Sequence, residues 1–474
     1  MPRVRANMRR MRAEEEIAND LIAAASGGVH LMGVAGVGMA GLAAQLHWIG
    51  FDVTGCDLKE SPFSEWARRQ GVEIFAGHSQ KHLSEELKAV VRSTAVPADH
   101  PELLAAEDLE LPVLRRGNLL AAIVNACSSV AVAGTHGKTT TAAMLAQVLR
   151  GAGMDAGFFV GAMVDRLQGA SGFGSDIFVA EADESDGTLA CYRPERAILT
   201  NADIDHLEHY DGEDSLWNCF RDFVSQTRKN VVYNYDDLRA REIASSAGSS
   251  LGYGFLEGAD VRGADYRQSA HSCEFKLLLP DGAEEPIELP VAGIFNASNA
   301  LAVCAFCSSI GIDSETIARE LALYRPPRRR FEHVARVDGV EVYMDYSHHP
   351  TEIKALLQSV QEMEFNRLVA VFQPHRYTRT RALAAQFPSA FRAVDRLVLT
   401  PVFAASEDPV EGGSSRDLLR RFEEDPEIDA VLSEDLEHAW RLARDFAQAG
   451  DLLLLIGAGD IEQMAEWIRP ADKR

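Results

Sequence analysis

The chain has 474 residues, 46% of them hydrophobic and 25% charged, which suits roughly three soluble globular domains at about 150 residues each. Its 71 acidic against 47 basic residues leave a formal net charge of −24, which argues against a general nucleic-acid binder. No apolar run reaches the roughly 18 residues that a membrane span needs, and seven thinly spread cysteines argue for a reducing, cytoplasmic setting over a disulfide scaffold.

The first 28 residues open with Arg3, Arg5, Arg9, Arg10 and Arg12, followed by Glu14, Glu15 and Glu16. No apolar segment follows the arginines, so this is not a secretory signal; a frayed tail leading into a short helix is expected. From Val29 the pattern becomes strand, glycine-rich turn, helix and strand. Val29–Val34 is short and apolar, Gly33, Gly36, Gly38 and Gly41 punctuate it, Met39–Trp48 reads as a helix, and Phe51–Cys56 as a strand ending at Asp57. Gly36-Val37-Gly38-Met39-Ala40-Gly41 fits G-x-G-x-x-G, a turn whose glycines let the backbone approach a diphosphate at a helix N-terminus. Asp57 stands where dinucleotide folds place a ribose-binding acid. NAD and a nucleotide-linked sugar both remain open.

A second start follows at Val130–Ala133, leading directly into Gly134-Thr135-His136-Gly137-Lys138-Thr139-Thr140. This reads as a phosphate loop: backbone N–H groups cradle phosphates, Lys138 neutralises β/γ oxygens, and the Thr139 hydroxyl meets Mg²⁺. Val132 stands where the usual first glycine belongs, so the loop is shorter than a standard Walker loop. The strand Ile177–Ala180 then runs into Glu181, Asp183, Glu184 and Asp186, four carboxylates that repel one another without a cation. After the strand Ile198–Asn201 come Asp203, Asp205, His206, Glu208 and His209. Two acidic strand ends beside a phosphate loop suggest oxygen-ligated Mg²⁺. Cys304 and Cys307 lie in an apolar, helix-like run and read as core packing.

Arg325–Arg330 is a proline-stiffened basic stretch suited to a linker. Beyond it, Asp345-Tyr346-Ser347-His348-His349-Pro350 follows the strand Val340–Met344, and Gln373-Pro374-His375-Arg376-Tyr377-Thr378-Arg379 follows the strand Leu368–Phe372. Further strands are expected at Leu397–Thr400 and Leu452–Ile456. Arginines at such strand ends match carboxylates by bidentate pairing. The expected architecture is α/β with three domains, at roughly 1–125, 126–328 and 329–474.

The order of Gly33–Gly41, Gly134–Thr140, Glu181–Asp186, Thr200–His206, His348–Glu352 and Phe372–Thr380 resembles the Mur ligases, from about Val29 to about Ile468. The resemblance implies a tail at 1–28, an N-terminal Rossmann-like domain at 29–125, a central phosphate-loop ATPase with a parallel sheet at 126–328, and a C-terminal Rossmann-like domain at 329–474. Gly-Thr-His-Gly-Lys-Thr-Thr and Phe-Gln-Pro-His-Arg-Tyr-Thr-Arg-Thr are its most specific strings. The resemblance implies an ATP-dependent ligase that joins L-alanine to UDP-N-acetylmuramate through an acyl phosphate, with a peptide-recycling ligase for an intact tripeptide as the alternative. It implies a UDP-sugar site at Gly33, Gly36, Val37, Gly38, Met39 and Asp57. It implies an ATP site at Gly134, Thr135, His136, Gly137, Lys138, Thr139 and Thr140, with Asn296 and Asn299 near the adenine and Arg330 and Asp345 on the nucleotide. Two Mg²⁺ ions, replaceable by Mn²⁺, would sit on Thr139 with Glu181 and on His206. Tyr346, His348, His375, Arg376 and Arg379 would line the amino-acid site, with Lys138, His348, Arg376 and Arg379 as catalytic groups. A monomer or homodimer, free of nucleic acid, is expected.

This sequence departs from the family pattern in places. Phe295 replaces the usual histidine before Asn296, Met344 a common aspartate, and Ser347 a glycine. Sister ligases carry a carbamylated lysine where this chain has Arg221, and the first downstream lysine is Lys229.

Overall fold

The computed structural model describes residues 2–93, 96–97, 99–204, 210–269, 271–361, 363–405, 407–425 and 427–469, with the side chains of 2–12 excepted. Its backbone contacts divide the chain into two compact units. One comprises residues 1–266, 274–289 and 297–325, the other residues 267–273, 290–296 and 326–474.

The first unit begins with a helix over Pro2–Ala24, where a frayed tail and a short helix were expected. Packing explains the difference. Ala18, Leu21 and Ile22 enter the core beside the helix Arg116–Ala126, Glu14 accepts a 2.8 Å hydrogen bond from Arg115 Nε, and Glu15 pairs with Arg193. Strands β1 (Gly28–Met32), β2 (Asp52–Asp57), β3 (Glu73–Ala76), β4 (Leu87–Arg92) and β5 (Val113–Arg115) form a parallel sheet in the order β3-β2-β1-β4-β5. The helix Val37–Ile49 follows β1 and buries Met39 through Leu46. Apart from Gln45 that surface is apolar, as a crossover helix on a parallel sheet requires.

The second sheet has ten strands. They are β6 (Ser129–Ala133), β7 (Ala156–Val164), β8 (Gly169–Gly172), β9 (Ile177–Glu181), β10 (Arg196–Leu199), β11 (Asn230–Asn234), β12 (Ser250–Gly254), β13 (Val261–Gln268), β14 (Cys273–Leu278) and β15 (Glu284–Leu289). Their order is β15-β14-β13-β12-β11-β10-β6-β9-β7-β8, so β6 lies centrally between β9 and β10, parallel to both. One apolar core joins the two sheets, from Val29 and Leu46 through Phe159 and Phe178 to Phe220. Gln45 fastens the helix Val37–Ile49 to the second sheet: its Nε2 donates to Phe158 O at 3.1 Å, Ser171 Oγ at 2.7 Å and Gly172 O at 2.9 Å. Cys304 and Cys307 are buried free thiols on the helix Ile294–Ser309, in keeping with core packing.

In the second unit β16 (Glu332–Val337), β17 (Val340–Asp345), β18 (Leu368–Phe372), β19 (Arg396–Leu399), β20 (Ala430–Leu432) and β21 (Leu452–Ile456) take the order β16-β17-β21-β18-β19-β20. Only the β16–β17 pair is antiparallel among the pairs of this sheet. β18 and β21 are buried along their whole length, as central parallel strands flanked on both faces must be. The carboxyl ends of β17, β18 and β21 therefore lie side by side, which sets where this unit gathers its polar residues.

Candidate functional site

The phosphate loop grows from the central position of β6. Beyond Ala133 the chain turns through Gly134, whose φ of +135° and whose neighbours exclude a side chain: a Cβ there would lie 2.2 Å from Thr200 Oγ1. Thr200 and Asn201, expected within the strand, instead leave β10 to hold the loop. Thr200 Oγ1 donates to His136 O at 2.6 Å, Asn201 Nδ2 donates to the same oxygen at 2.9 Å, and His136 N donates to Asn201 Oδ1 at 2.8 Å. Thr135 Oγ1 donates to Asp203 O at 3.2 Å and accepts from Asp203 N at 2.8 Å. The helix Lys138–Gly151 then starts with its N-terminal N–H groups at the loop, a favourable place for anions.

Lys138 donates from Nζ to both carboxylate oxygens of Glu184, at 3.0 and 2.8 Å, and to Thr135 O at 3.2 Å. Burial alone would lower the lysine's pKa, but Glu184 and Asp183 hold it above the ordinary range. Burial would raise Asp183, yet the charges of Lys138 and Arg116 and two bonds from Ser185 bring it down to about 2. Thr139 Oγ1 donates to Glu181 Oε1 at 2.9 Å, and Gly161 N donates to Glu181 Oε2 at 2.7 Å. The register places Glu181 beside Val132, two residues before the loop. A hydroxyl and a carboxylate brought together at a phosphate loop form an oxygen donor set that fits a hard divalent cation. His206 lies outside the described residues. Arg221 donates to Asn218 Oδ1 at 3.0 Å, and Lys229 is paired with Glu195 at 2.8 Å. Asn299 approaches the loop, its Oδ1 lying 2.7 Å from where a Cβ on Gly137 would stand.

The glycine-rich turn after β1 lies in the same unit. Gly33 has φ +89°, and Gly36 precedes the helix that starts at Val37. Met39, expected at the UDP-sugar site, is a core residue whose side chain packs inside. Asp57 accepts from Ala35 N at 2.9 Å and from Lys59 N at 3.2 Å, holding the turn against the end of β2. Arg116, absent from the residues expected at this turn, lies against it. Its Nη1 lies 2.9 Å from where a Cβ on Gly38 would be, and its Nη2 lies 3.4 Å from Asp183. It directly follows β5, so the strand-end rule applied to the other segments would have found it.

The second unit assembles another polar cluster at the ends of β17 and β18. Asp345 is buried and accepts from Phe331 N and Ser347 N, both at 2.8 Å, and from the Ser347 hydroxyl. Burial raises its pKa, against the pull of Arg330. Arg329 and Arg330 lie over the Tyr346 ring, 4.8 and 5.0 Å from its centroid. The His348 ring is 5.6 Å from that of His375. His348 Nδ1 faces two acceptors, Tyr346 O at 3.2 Å and Glu352 Oε2 at 3.6 Å, so Nδ1 carries a proton. Arg379 Nη1 lies 3.2 Å from His375 Nδ1. A guanidinium only donates, so Nδ1 of His375 is unprotonated. Burial, then His348, Arg379 and Arg376, push His375 down to about 3, which keeps it neutral. Arg376 is held tightly: its φ is +66°, its N–H donates to Phe403 O at 2.8 Å, and among the described residues its buried Nε has no hydrogen-bond partner. A buried donor left unmet by the protein is of the right chemistry to meet an anion. Asn296, buried in this unit, donates from Nδ2 to Ala292 O at 2.7 Å. Phe295 sets its ring edge-on against Phe331 at 6.5 Å, and Met344 is wholly buried.

Three family profiles match in succession: "Mur ligase family, catalytic domain" over residues 28–127, "Mur ligase middle domain" over 132–307 and "Mur ligase, glutamate ligase domain" over 329–459. The chain is 35% identical over 452 residues to the UDP-N-acetylmuramate–L-alanine ligase of Mesorhizobium japonicum, covering 92% of this chain and 96% of that one. The chain belongs to the Mur ligase family. The corresponding ligase of Brucella anthropi is also 35% identical, over 92% of this chain and 95% of its own. Among solved structures, the family member UDP-N-acetylmuramate-alanine ligase MurC of Thermotoga maritima superposes with a TM-score of 0.79 at 27% identity, covering 93% of this chain and 98% of that one. A murein peptide ligase of Psychrobacter arcticus shares the fold, with a TM-score of 0.72 at 23% identity over the same shares. The three-domain α/β architecture expected of a Mur ligase is thus the one found. No helix among the described residues is long and apolar enough to cross a membrane.

Proposed function

We propose that this ligase joins L-alanine to UDP-N-acetylmuramate with hydrolysis of ATP to ADP and phosphate, in the cytoplasm, as a step of peptidoglycan precursor synthesis. The observation that carries the reading is the phosphate loop with its Lys138–Glu184 and Thr139–Glu181 pairs, in a chain so similar to named alanine ligases. Lys138 would exchange Glu184 for the γ-phosphate of ATP and neutralise charge as the phosphoryl group moves to the muramoyl carboxylate. Thr139 and Glu181 would hold Mg²⁺, with His206 on a second ion; bound there, the metal supplies charge neutralisation on phosphate oxygens. The glycine-rich turn, Asp57 and Arg116 would hold the UDP diphosphate and ribose.

The acyl phosphate then reacts with the alanine amine. That amine arrives as an ammonium and must lose a proton before it attacks the carbonyl and expels phosphate. His348, its Nδ1–H held by Tyr346 O, would take the proton on Nε2. Arg379 would pair with the alanine carboxylate through two parallel hydrogen bonds, and Arg376 with the acyl phosphate. Asn296, Asn299, Arg330 and Asp345 would contact the nucleotide. Phosphate release is the test, measured with UDP-N-acetylmuramate, ATP and either single amino acids or the tripeptide L-alanyl-γ-D-glutamyl-meso-diaminopimelate. Release with L-alanine and not with the tripeptide is expected; the reverse would make the chain a murein peptide ligase.

A further inference from the structure

Beneath the first sheet, on the face opposite the main core, five metal-binding side chains converge from separate segments. His30 lies on β1, Cys56 on β2, His78 after β3, His82 in the turn Gln80–His82 and Glu102 in the first turn of the helix Pro101–Asp108. His30 and Cys56 are wholly buried, and Glu102 is 1% exposed. One donor atom from each of His30, Cys56, His82 and Glu102 lies within 4.8 Å of every other. His30 Nε2 stands 3.3 Å from Cys56 Sγ and 3.5 Å from Glu102 Oε1. His82 Nδ1 is 3.0 Å from Glu102 Oε1, and Cys56 Sγ is 3.5 Å from Glu102 Oε2. His78 Nδ1 closes the cluster, 3.0 Å from Cys56 Sγ and 3.1 Å from Glu102 Oε2.

We propose that His30, Cys56, His82 and Glu102 bind one zinc-class transition-metal ion, with His78 as a further donor at its edge. In a tetrahedral zinc site the bond lengths of about 2.0–2.3 Å put neighbouring ligand atoms roughly 3.3–3.8 Å apart. The separations around Cys56 and His30 already match that figure. The donor set of imidazole, thiolate and carboxylate suits zinc and not magnesium, which prefers oxygen. A second observation points the same way. His30 Nδ1 lies 2.8 Å from the Thr54 hydroxyl, the outer-shell contact that fixes a ligating histidine's tautomer and aims its other nitrogen at the metal. A hydrogen-bonded cluster without metal accounts for the short contacts, but it has no need of a thiol at the point where three imidazoles and a carboxylate meet. The ion would tie β1 and β2 to the helix Pro101–Asp108. Cys56 immediately precedes Asp57, which holds the glycine-rich turn through Ala35, so the site would brace that turn without touching its ligand.

The test is a Co²⁺ titration of the full-length protein in millimolar Mg²⁺, which occupies oxygen-ligated sites. The expected result is one Co²⁺ per chain with a thiolate-to-cobalt charge-transfer band, displaced by Zn²⁺. Cys56→Ser should abolish the band, and Thr54→Val should weaken Co²⁺ binding by roughly 10- to 100-fold. Should Cys56→Ser fail to fold, His82→Gln at the partly exposed side of the cluster serves instead, with at least a tenfold loss of affinity. No stoichiometric uptake by the wild-type protein, or uptake without the thiolate band, overturns the proposal. An unchanged band in a folded His82→Gln variant removes His82 from the set and overturns the four-ligand site.

Discussion

Lys138 and Glu184 form a buried ion pair, with Nζ 2.8 Å from one carboxylate oxygen and 3.0 Å from the other. The glutamate is 1% exposed and the lysine 11%, so neither charge has water to fall back on. Glu184 thereby keeps the lysine charged and in place at the loop. Losing one partner of such a pair typically costs about 3–5 kcal/mol, because the other is left buried and uncompensated.

Lys138→Ala should therefore lower both stability and turnover, and the two losses separate in a double variant. We expect kcat to fall on the order of 10²-fold or more, with UDP-sugar binding kept. Adding Glu184→Gln should restore most of the stability in urea denaturation but none of the rate. Recovery of rate in the double variant would show that Lys138 acts only through its ion pair.

The Thr139–Glu181 contact predicts a change in metal dependence. Glu181→Ala should raise the Mg²⁺ concentration for half-maximal rate, as should His206→Ala if that residue holds the second ion. Glu181→Asp, which keeps the charge, should shift the titration less. A Mg²⁺ curve unmoved in the two alanine variants would make both residues bystanders.

On the third domain, Arg379 is expected to recognise the alanine carboxylate through a two-point contact that lysine does not reproduce. Arg379→Lys should raise the KM for L-alanine by roughly tenfold or more, about the worth of a charge-assisted bond. The KM values for ATP and UDP-N-acetylmuramate should change much less. If all three rise together, Arg379 serves catalytic assembly and not alanine.

His375 predicts a pH effect on stability. Its ordinary value of 6.5 falls to about 3 in the folded protein, first through burial and then through the neighbouring His348 and arginines. The unfolded chain thus takes up a proton between pH 6.5 and 3 that the folded chain refuses. Stability contributed by this residue is present above pH 6.5 and is lost as pH falls, by up to the order of 4 kcal/mol near pH 3. His375→Asn, which keeps an acceptor for Arg379, should flatten the decline between pH 6.5 and 4 in urea denaturation. Parallel curves for the two proteins would rule out His375 as the source.

Much of this protein was written locally. The phosphate loop, the glycine-rich turn and the strands Leu368–Phe372 and Leu452–Ile456 are legible because their backbone demands and apolar runs are set by adjacent residues. The pairing of Thr139 with Glu181 at one metal came from the family resemblance, and the fold brings the two side chains to 2.9 Å. The three strands from Val261 to Leu289 were not read from sequence; they alternate exposed and buried positions in short polar stretches whose partners alone make them strands. Nor did the order of residues say which of four carboxylates would hold Lys138, that Arg116 would lie against Gly38, or that Pro2–Ala24 would pack as one helix. The cluster of His30, Cys56, His82 and Glu102 was equally hidden, spread over separate segments with no recognisable spacing. Strand order decided these meetings. Two side chains far apart in sequence touch only when β-strands pair in one order and not another, and that choice is made by the burial of the whole sheet.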